Sequence, residues 1–216
     1  TSVDIQRSAG AGIVDRYSTN VNLTRYDVNV RVDVDDQICS VMVQLTHDPL
    51  NNRYAFAYRP KVALKTNVAF AMLVLAGIYP DGIPLPPQIR KIGELDRADD
   101  ESRTLSILDP FCGSGTIPIE AAACLPEAEI FANERFERPY GWTKDNLEAL
   151  NLTNRVRLDL GDARTINENY PAESMDVIVT NPPFGAQLGQ ETNFFQLYRS
   201  FLLSASHVLK PGGRLV

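Results

Sequence analysis

Four polar residues close four short apolar runs: Asp109, Glu134, Asp162 and Asn181. A glycine turn, D-P-F-C-G-S-G-T over residues 109–116, begins at the first, and a stiff N-P-P-F turn, 181–184, begins at the last. Gly113 and Gly115 let the chain bend sharply and let a ligand approach the backbone with no Cβ in between. The turn is not a phosphate-binding P-loop, since Thr116 stands where lysine must follow the last glycine. It is not a dinucleotide fingerprint either, since Pro118 takes the place of the third glycine. An acidic residue at a strand end beside such a turn suits hydroxyls or an ammonium group. A single strand-end carboxylate is usually a helix N-cap. Four polar ends in series, with a glycine turn beside the first, point instead to a bound nucleoside. Glu134 can take two ribose hydroxyls, and Asp162 can accept from an adenine amino group, as carboxylates do from exocyclic amines.

The N-P-P-F turn suits a different task. An amine attached to a base is a weak nucleophile because its lone pair is delocalised into the ring. Two acceptors can hold its hydrogens and tilt that lone pair toward an electrophile. Asn181 supplies an amide oxygen, and Pro182 supplies a carbonyl on a rigid turn with no competing N–H. Phe184 offers a face for the base, and such stacking is worth about 1–3 kcal/mol. A paired base must first be flipped out or presented single-stranded. Neither a metal nor a covalent intermediate is needed.

The elements around these residues alternate between strand and helix. Apolar runs at 105–108, 129–133, 156–160 and 175–180 read as buried strands, and 214–216 begins a fifth. Helices are predicted from Thr116, with Pro118 in the first turn and Glu120 near the positive end, over 139–150, and over 192–209. Residues 210–213, K-P-G-G, read as a turn. This alternation predicts a parallel sheet with right-handed crossovers and a ligand site outside the carboxyl ends of its strands. Upstream, residues 1–22 read as an irregular lead-in. Residues 26–34 and 38–45 form a half-buried antiparallel hairpin around Asp35 and Asp36. Residues 51–60 interleave Arg53 and Arg59 with Tyr54, Phe56 and Tyr58, a pattern suited either to RNA contact or to packing on the next helix. That helix spans 63–77 and stops at Gly77, and the proline-rich, charged stretch 80–103 reads as a surface loop.

Composition narrows the class. With 216 residues and 44% hydrophobic content, the chain can build one sizeable domain and an appendage. No apolar run approaches membrane-spanning length, and the first ten residues lack a signal-peptide core. Cys39, Cys112 and Cys124 show no C-x-x-C spacing, which argues for free thiols in a reducing cytoplasm and against zinc. A net charge of −6 disfavours a broad nucleic-acid surface, though not a local basic patch.

The pairing of D-P-F-C-G-S-G-T with N-P-P-F resembles the S-adenosylmethionine-dependent methyltransferases that act on exocyclic amino nitrogens. D-P-F-C-G-S-G-T-I-P-I-E-A-A, the Y-R-P…A-L-K-T-N-V-A helix and the leading hairpin are similar to RNA guanine-N2 methyltransferases that carry a THUMP RNA-binding domain. The likeness covers about residues 25–216. It implies an α/β, Rossmann-like class I methyltransferase fold, with a twisted parallel sheet flanked by helices and a small antiparallel hairpin before it. Residues 1–58 are then the trailing edge of the THUMP-like module and 59–216 a methyltransferase domain lacking its last strands. The implied cofactor is S-adenosyl-L-methionine, bound by Thr66, Asp109, Phe111, Cys112, Gly113, Gly115, Thr116, Glu134, Asp162, Ala163 and Asn181. Asn181, Pro182 and Phe184 carry the catalysis, with no metal. The implied substrate is tRNA or rRNA, in the cytoplasm and away from membranes. The sequence departs from the family pattern at Phe136, where a second acid is common, at Lys65-Thr66-Asn67, which replaces K-P-T, and at Phe184, where Tyr is common. Adenine-N6 methylation of RNA or DNA, protein-glutamine methylation and a non-catalytic binding module are the rival readings.

Overall fold

A computed structural model of the chain describes residues 2–46, 48–78, 104–184 and 193–216. The surface loop expected over 80–103 and the predicted helix start at Thr192 lie outside these. The described residues divide into two units, 1–50 and 51–216. Residues 51–58 are bonded to the rest of the second unit.

In the first unit, helix α1 (Ser2–Tyr17) precedes strands β1 (Asn29–Asp35) and β2 (Ile38–Gln44). The strands pair antiparallel, with Val30, Val32 and Val34 opposite Val43, Val41 and Cys39. Asp36 takes the left-handed conformation of the turn, φ 49°, which aspartate tolerates. Two expectations are corrected. Residues 2–17 form a helix, not an irregular lead-in: Ile5, Ala9 and Ile13 recur every fourth residue and line a cavity with the β1 valines. The hairpin is also less covered than half-buried, since β2 is exposed along its whole length.

The second unit opens on residues 51–65 and helix α2 (Thr66–Leu75). The helix ends as Gly77 predicts. The Gly77 N–H bonds to the Val74 carbonyl and the Ile78 N–H to the Leu73 carbonyl, with Gly77 at φ 79°. Then come β3 (Ser106–Asp109), α3 (Thr116–Cys124), β4 (Glu129–Glu134), α4 (Glu137–Ala149) and β5 (Val156–Leu160). After α5 (Ile166–Asn169) follow β6 (Met175–Ile178), α6 (Phe194–Val208) and β7 (Leu209–Leu215). The expected turn at 210–213 instead lies inside β7, as a register shift against β6, with Gly212 at φ 79°.

The sheet order is β5-β4-β3-β6-β7, and every pairing is parallel. Successive strand side chains face opposite ways, so Ile107 and Val177 join one core while Leu108 and Ile178 join the other. Helices α2 and α3 cover the first face, and α6 the second. Each buried side chain of this size contributes about 1.5–3 kcal/mol. From β3 the chain runs outward through β4 to β5, then returns to place β6 on the other flank of β3. That reversal is the switch point at which open α/β sheets bind ligands. Register aligns the strand ends: Asp109 pairs with Ala132, Glu134 with Leu160 and Leu108 with Ile178.

Candidate active site

At that switch point lies a cavity of about 960 Å³. Asp109, Glu134, Asp162 and Asn181, four strand ends apart in sequence, all line it. Phe111, Cys112, Gly113, Thr116 and Ala163 line it as well. Gly115 sits just behind, at φ 84°, and a Cβ there would come within 2.9 Å of Thr143 Cγ2. Glycine is required at this position by both conformation and space. Burial pushes the Cys112 thiol well up, so it is wall rather than nucleophile.

The loop is held in shape from behind. The Gly115 N–H bonds to the Cys112 carbonyl at 2.8 Å, and the Cys112 N–H to the Asn133 carbonyl at 3.1 Å. Two fully buried side chains of α4 donate to successive loop carbonyls: Thr143 Oγ1 to Gly113 at 2.7 Å and Asn146 Nδ2 to Ser114 at 2.9 Å. Asn133, also fully buried, donates to the carbonyls of Pro110 and Gly161 and so joins the ends of β3, β4 and β5.

The three carboxylates differ in electrostatics. Asp109 is buried, and loss of hydration pushes its carboxyl up to about 7; the nearby Glu134 charge adds to this, while the Thr180 hydroxyl and Phe111 N–H oppose it. Both of those donors end on Oδ1, at 2.7 and 3.2 Å. Oδ2 therefore has no protein donor among the described residues. Burial likewise raises the Glu134 carboxyl, although Oε1 accepts from the Phe136 N–H and Oε2 from the Gly113 N–H, each at 3.0 Å. Asp162 is held below its ordinary value, chiefly by the Arg164 guanidinium at 2.6 Å. Arg135 reaches the same carboxylate at 3.3 Å, and Asp162 also caps the turn Ala163–Thr165. The cavity thus offers two strained acceptors and one neutralised by arginine. Such a set suits a ligand with ribose hydroxyls and a positive charge, and the volume accommodates a nucleoside with a tail.

Asn181 and Pro183 of the N-P-P-F turn line the cavity; Pro182 and Phe184 do not, and Phe184 is 58% exposed. The turn is fastened by Tyr198 on α6, whose hydroxyl donates to the Pro183 carbonyl at 2.6 Å. Thr66 is fully buried behind the wall and does not line the cavity; its hydroxyl accepts from Arg53 at 3.3 Å.

Residues 51–60 pack against the rest of the second unit. Arg53 forms an ion pair with fully buried Glu120, Tyr54 and Phe56 pack on the first core, and Tyr58 stacks on Trp142 with ring centroids 4.5 Å apart. Glu120 therefore serves Arg53 instead of the positive end of α3. Beyond them Pro60, Val62, Ala63 and Leu64 wall the cavity, and Arg135, Phe136, Trp142 and Arg164 line it as well. Only the place of Arg135 and Phe136 directly after Glu134 signals this in the sequence.

This geometry can be set beside that of known proteins. The family described as RMKL-like, methyltransferase domain (UPF0020) matches residues 95–216. A tRNA (guanine(6)-N2)-methyltransferase from Thermus thermophilus is 34% identical over 220 residues, covering the whole chain and 56% of that protein. One of the same description from Archaeoglobus fulgidus is 29% identical over 248 residues, again covering 56% of its length. The crystal structure of TrmN from Thermus thermophilus superposes with a TM-score of 0.68 at 33% identity, over 100% of this chain and 56% of that one. The chain spans a little over half the length of these relatives.

Proposed function

The chain belongs to the RMKL-like methyltransferase domain family, and on that premise we propose that it moves a methyl group from S-adenosylmethionine to N2 of a guanine in tRNA. The observation that carries this is the opening of the N-P-P-F turn onto the cavity that Asp109, Glu134 and Asp162 line. The chemistry supplied by bound S-adenosylmethionine is an activated methyl on a sulfonium centre. Glu134 receives the ribose hydroxyls, with each of its oxygens already oriented by one backbone N–H. Asp162 and Ala163 border the base, and Asp109 Oδ2 offers a negative partner to a cationic group. Asn181 Oδ1 and the Pro182 carbonyl accept the two hydrogens of the target amine. Asn181 is exposed and neutral, so the proton released on methylation passes to water. Alignment of this kind supplies up to roughly 7–11 kcal/mol. Residues 1–58 are, on this reading, the trailing edge of an RNA-binding THUMP-like module. Among the described residues no helix is long and apolar enough to cross a membrane, and no group of three metal-binding side chains occurs.

The test is to incubate the full-length protein with unmodified tRNA and methyl-labelled donor, then digest to nucleosides. Label in N2-methylguanosine is expected. Label in N6-methyladenosine would move the assignment to adenine, and donor binding without any label would make the chain a binding module. A second expectation concerns Tyr198→Phe. It frees the Pro183 carbonyl and loosens the turn, so kcat should fall about tenfold with donor affinity unchanged. Steady-state kinetics with donor titration separates the two, and an unchanged kcat removes Tyr198 from the machinery.

A further inference from the structure

Residues 143 and 146 of α4, three apart on one face, hold two consecutive carbonyls of the glycine loop. In a trans peptide unit the C=O and N–H point opposite ways. Drawing the Gly113 carbonyl back onto Thr143 therefore turns the Ser114 N–H away from α4, and Gly113 and Ser114 both line the cavity. Among the described residues the Ser114 N–H has no acceptor. Asn146 does more than brace the loop. Its Oδ1 accepts from the Tyr58 N–H and its Nδ2 donates to the Tyr58 carbonyl, both at 2.8 Å. One side chain thus joins the loop to the segment that continues into the wall at Pro60–Leu64.

We infer that Thr143 and Asn146 are positioning residues: they preset the glycine loop, aim the Ser114 N–H at the negative end of the donor, and lock the wall onto the loop before any ligand arrives. The inference rests on the donor-binding reading above, since it names the ligand that the loop awaits. Neither side chain touches the cavity itself. Their effect is to remove the cost of ordering the loop and wall on binding.

The probe is S-adenosylhomocysteine, measured by calorimetry well below each variant's melting midpoint. Thr143→Val keeps the size and packing but deletes the donated bond, and is expected to weaken binding about tenfold. Thr143→Ser keeps the hydroxyl and should bind within about threefold of wild type. Asn146→Asp retains the acceptor for the Tyr58 N–H, loses both donated bonds, and should weaken binding at least as much as Thr143→Val. Wild-type affinity in Thr143→Val, or equal losses in the Val and Ser variants, overturns the inference. Amide exchange in the ligand-free wild type decides the matter independently should a variant fail to fold. Protection of the Gly115 amide before ligand is added supports presetting; fast exchange that slows only on binding overturns it. A wild-type chain that binds no S-adenosylhomocysteine refutes the functional reading, while the exchange result still decides whether the loop is preset.

Discussion

Asn181→Ala is expected to lower methyl transfer by about 10²–10³-fold or more while leaving donor affinity within about twofold. The substitution removes the amide oxygen that holds one hydrogen of the target amine, and the lone pair falls back into conjugation with the ring. It leaves Asp109, Glu134 and Asp162 untouched, because Asn181 is exposed and makes no bond that supports them. Single-turnover rates with saturating donor and RNA, set beside calorimetric titration of the donor, give both numbers. Full activity in the variant would remove the N-P-P-F turn from the mechanism. Parallel loss of donor affinity would mean that Asn181 holds the donor rather than the target amine.

Asp109→Asn is expected to stabilise the free protein and to cripple donor binding, each in a pH-dependent way. Burial raises the folded-state carboxyl to about 7, whereas the unfolded value lies near 4. Between those values the folded chain holds a proton that the unfolded chain has lost. The resulting stability is fully present below about pH 4 and is lost as pH rises toward about 7. Asparagine still accepts from Thr180 and Phe111 through Oδ1 but carries no charge. The variant should therefore melt with the wild type near pH 4 and about 5 °C or more above it at pH 8. Donor affinity should move the other way. The variant loses about tenfold or more at pH 8 and less at pH 6, where the wild-type carboxyl is itself mostly protonated. Coincident melting curves at pH 8 would mean that Asp109 is not a buried charge. Unchanged affinity would mean that Oδ2 does not face the donor.

How far these features are legible in the sequence depends on whether they are local. The strands β3 to β6 announce themselves as short apolar runs because parallel strands are covered on both faces. Their polar ends follow from where each run stops, and parallel topology then brings Asp109, Glu134, Asp162 and Asn181 to one edge. Helix α1 escapes notice because Gly10 and Gly12 interrupt its narrow stripe of Ile5, Ala9 and Ile13, which only the β1 valines make meaningful. Arg53 and Glu120 lie 67 residues apart, and nothing near either predicts the partner. The same holds for Thr143 and Asn146, both fully buried, since nothing near either names the loop carbonyl it serves. For Phe184 and Thr66 a motif fixes the residue type but not the placement: one ring is exposed and the other side chain is fully buried, and neither lines the cavity.

The two raised carboxylates bear on turnover as well as on grip. Asp109 and Glu134 hold the cavity at a negative potential in a place where water screens little. The incoming donor carries one more positive charge than the thioether left after transfer. The cavity therefore favours fresh donor over spent product, and the reaction itself discharges part of the attraction that retained its ligand. Dissociation constants for the two, compared at pH 6 and pH 8, should diverge as Asp109 ionises; a constant ratio would mean that product leaves for another reason.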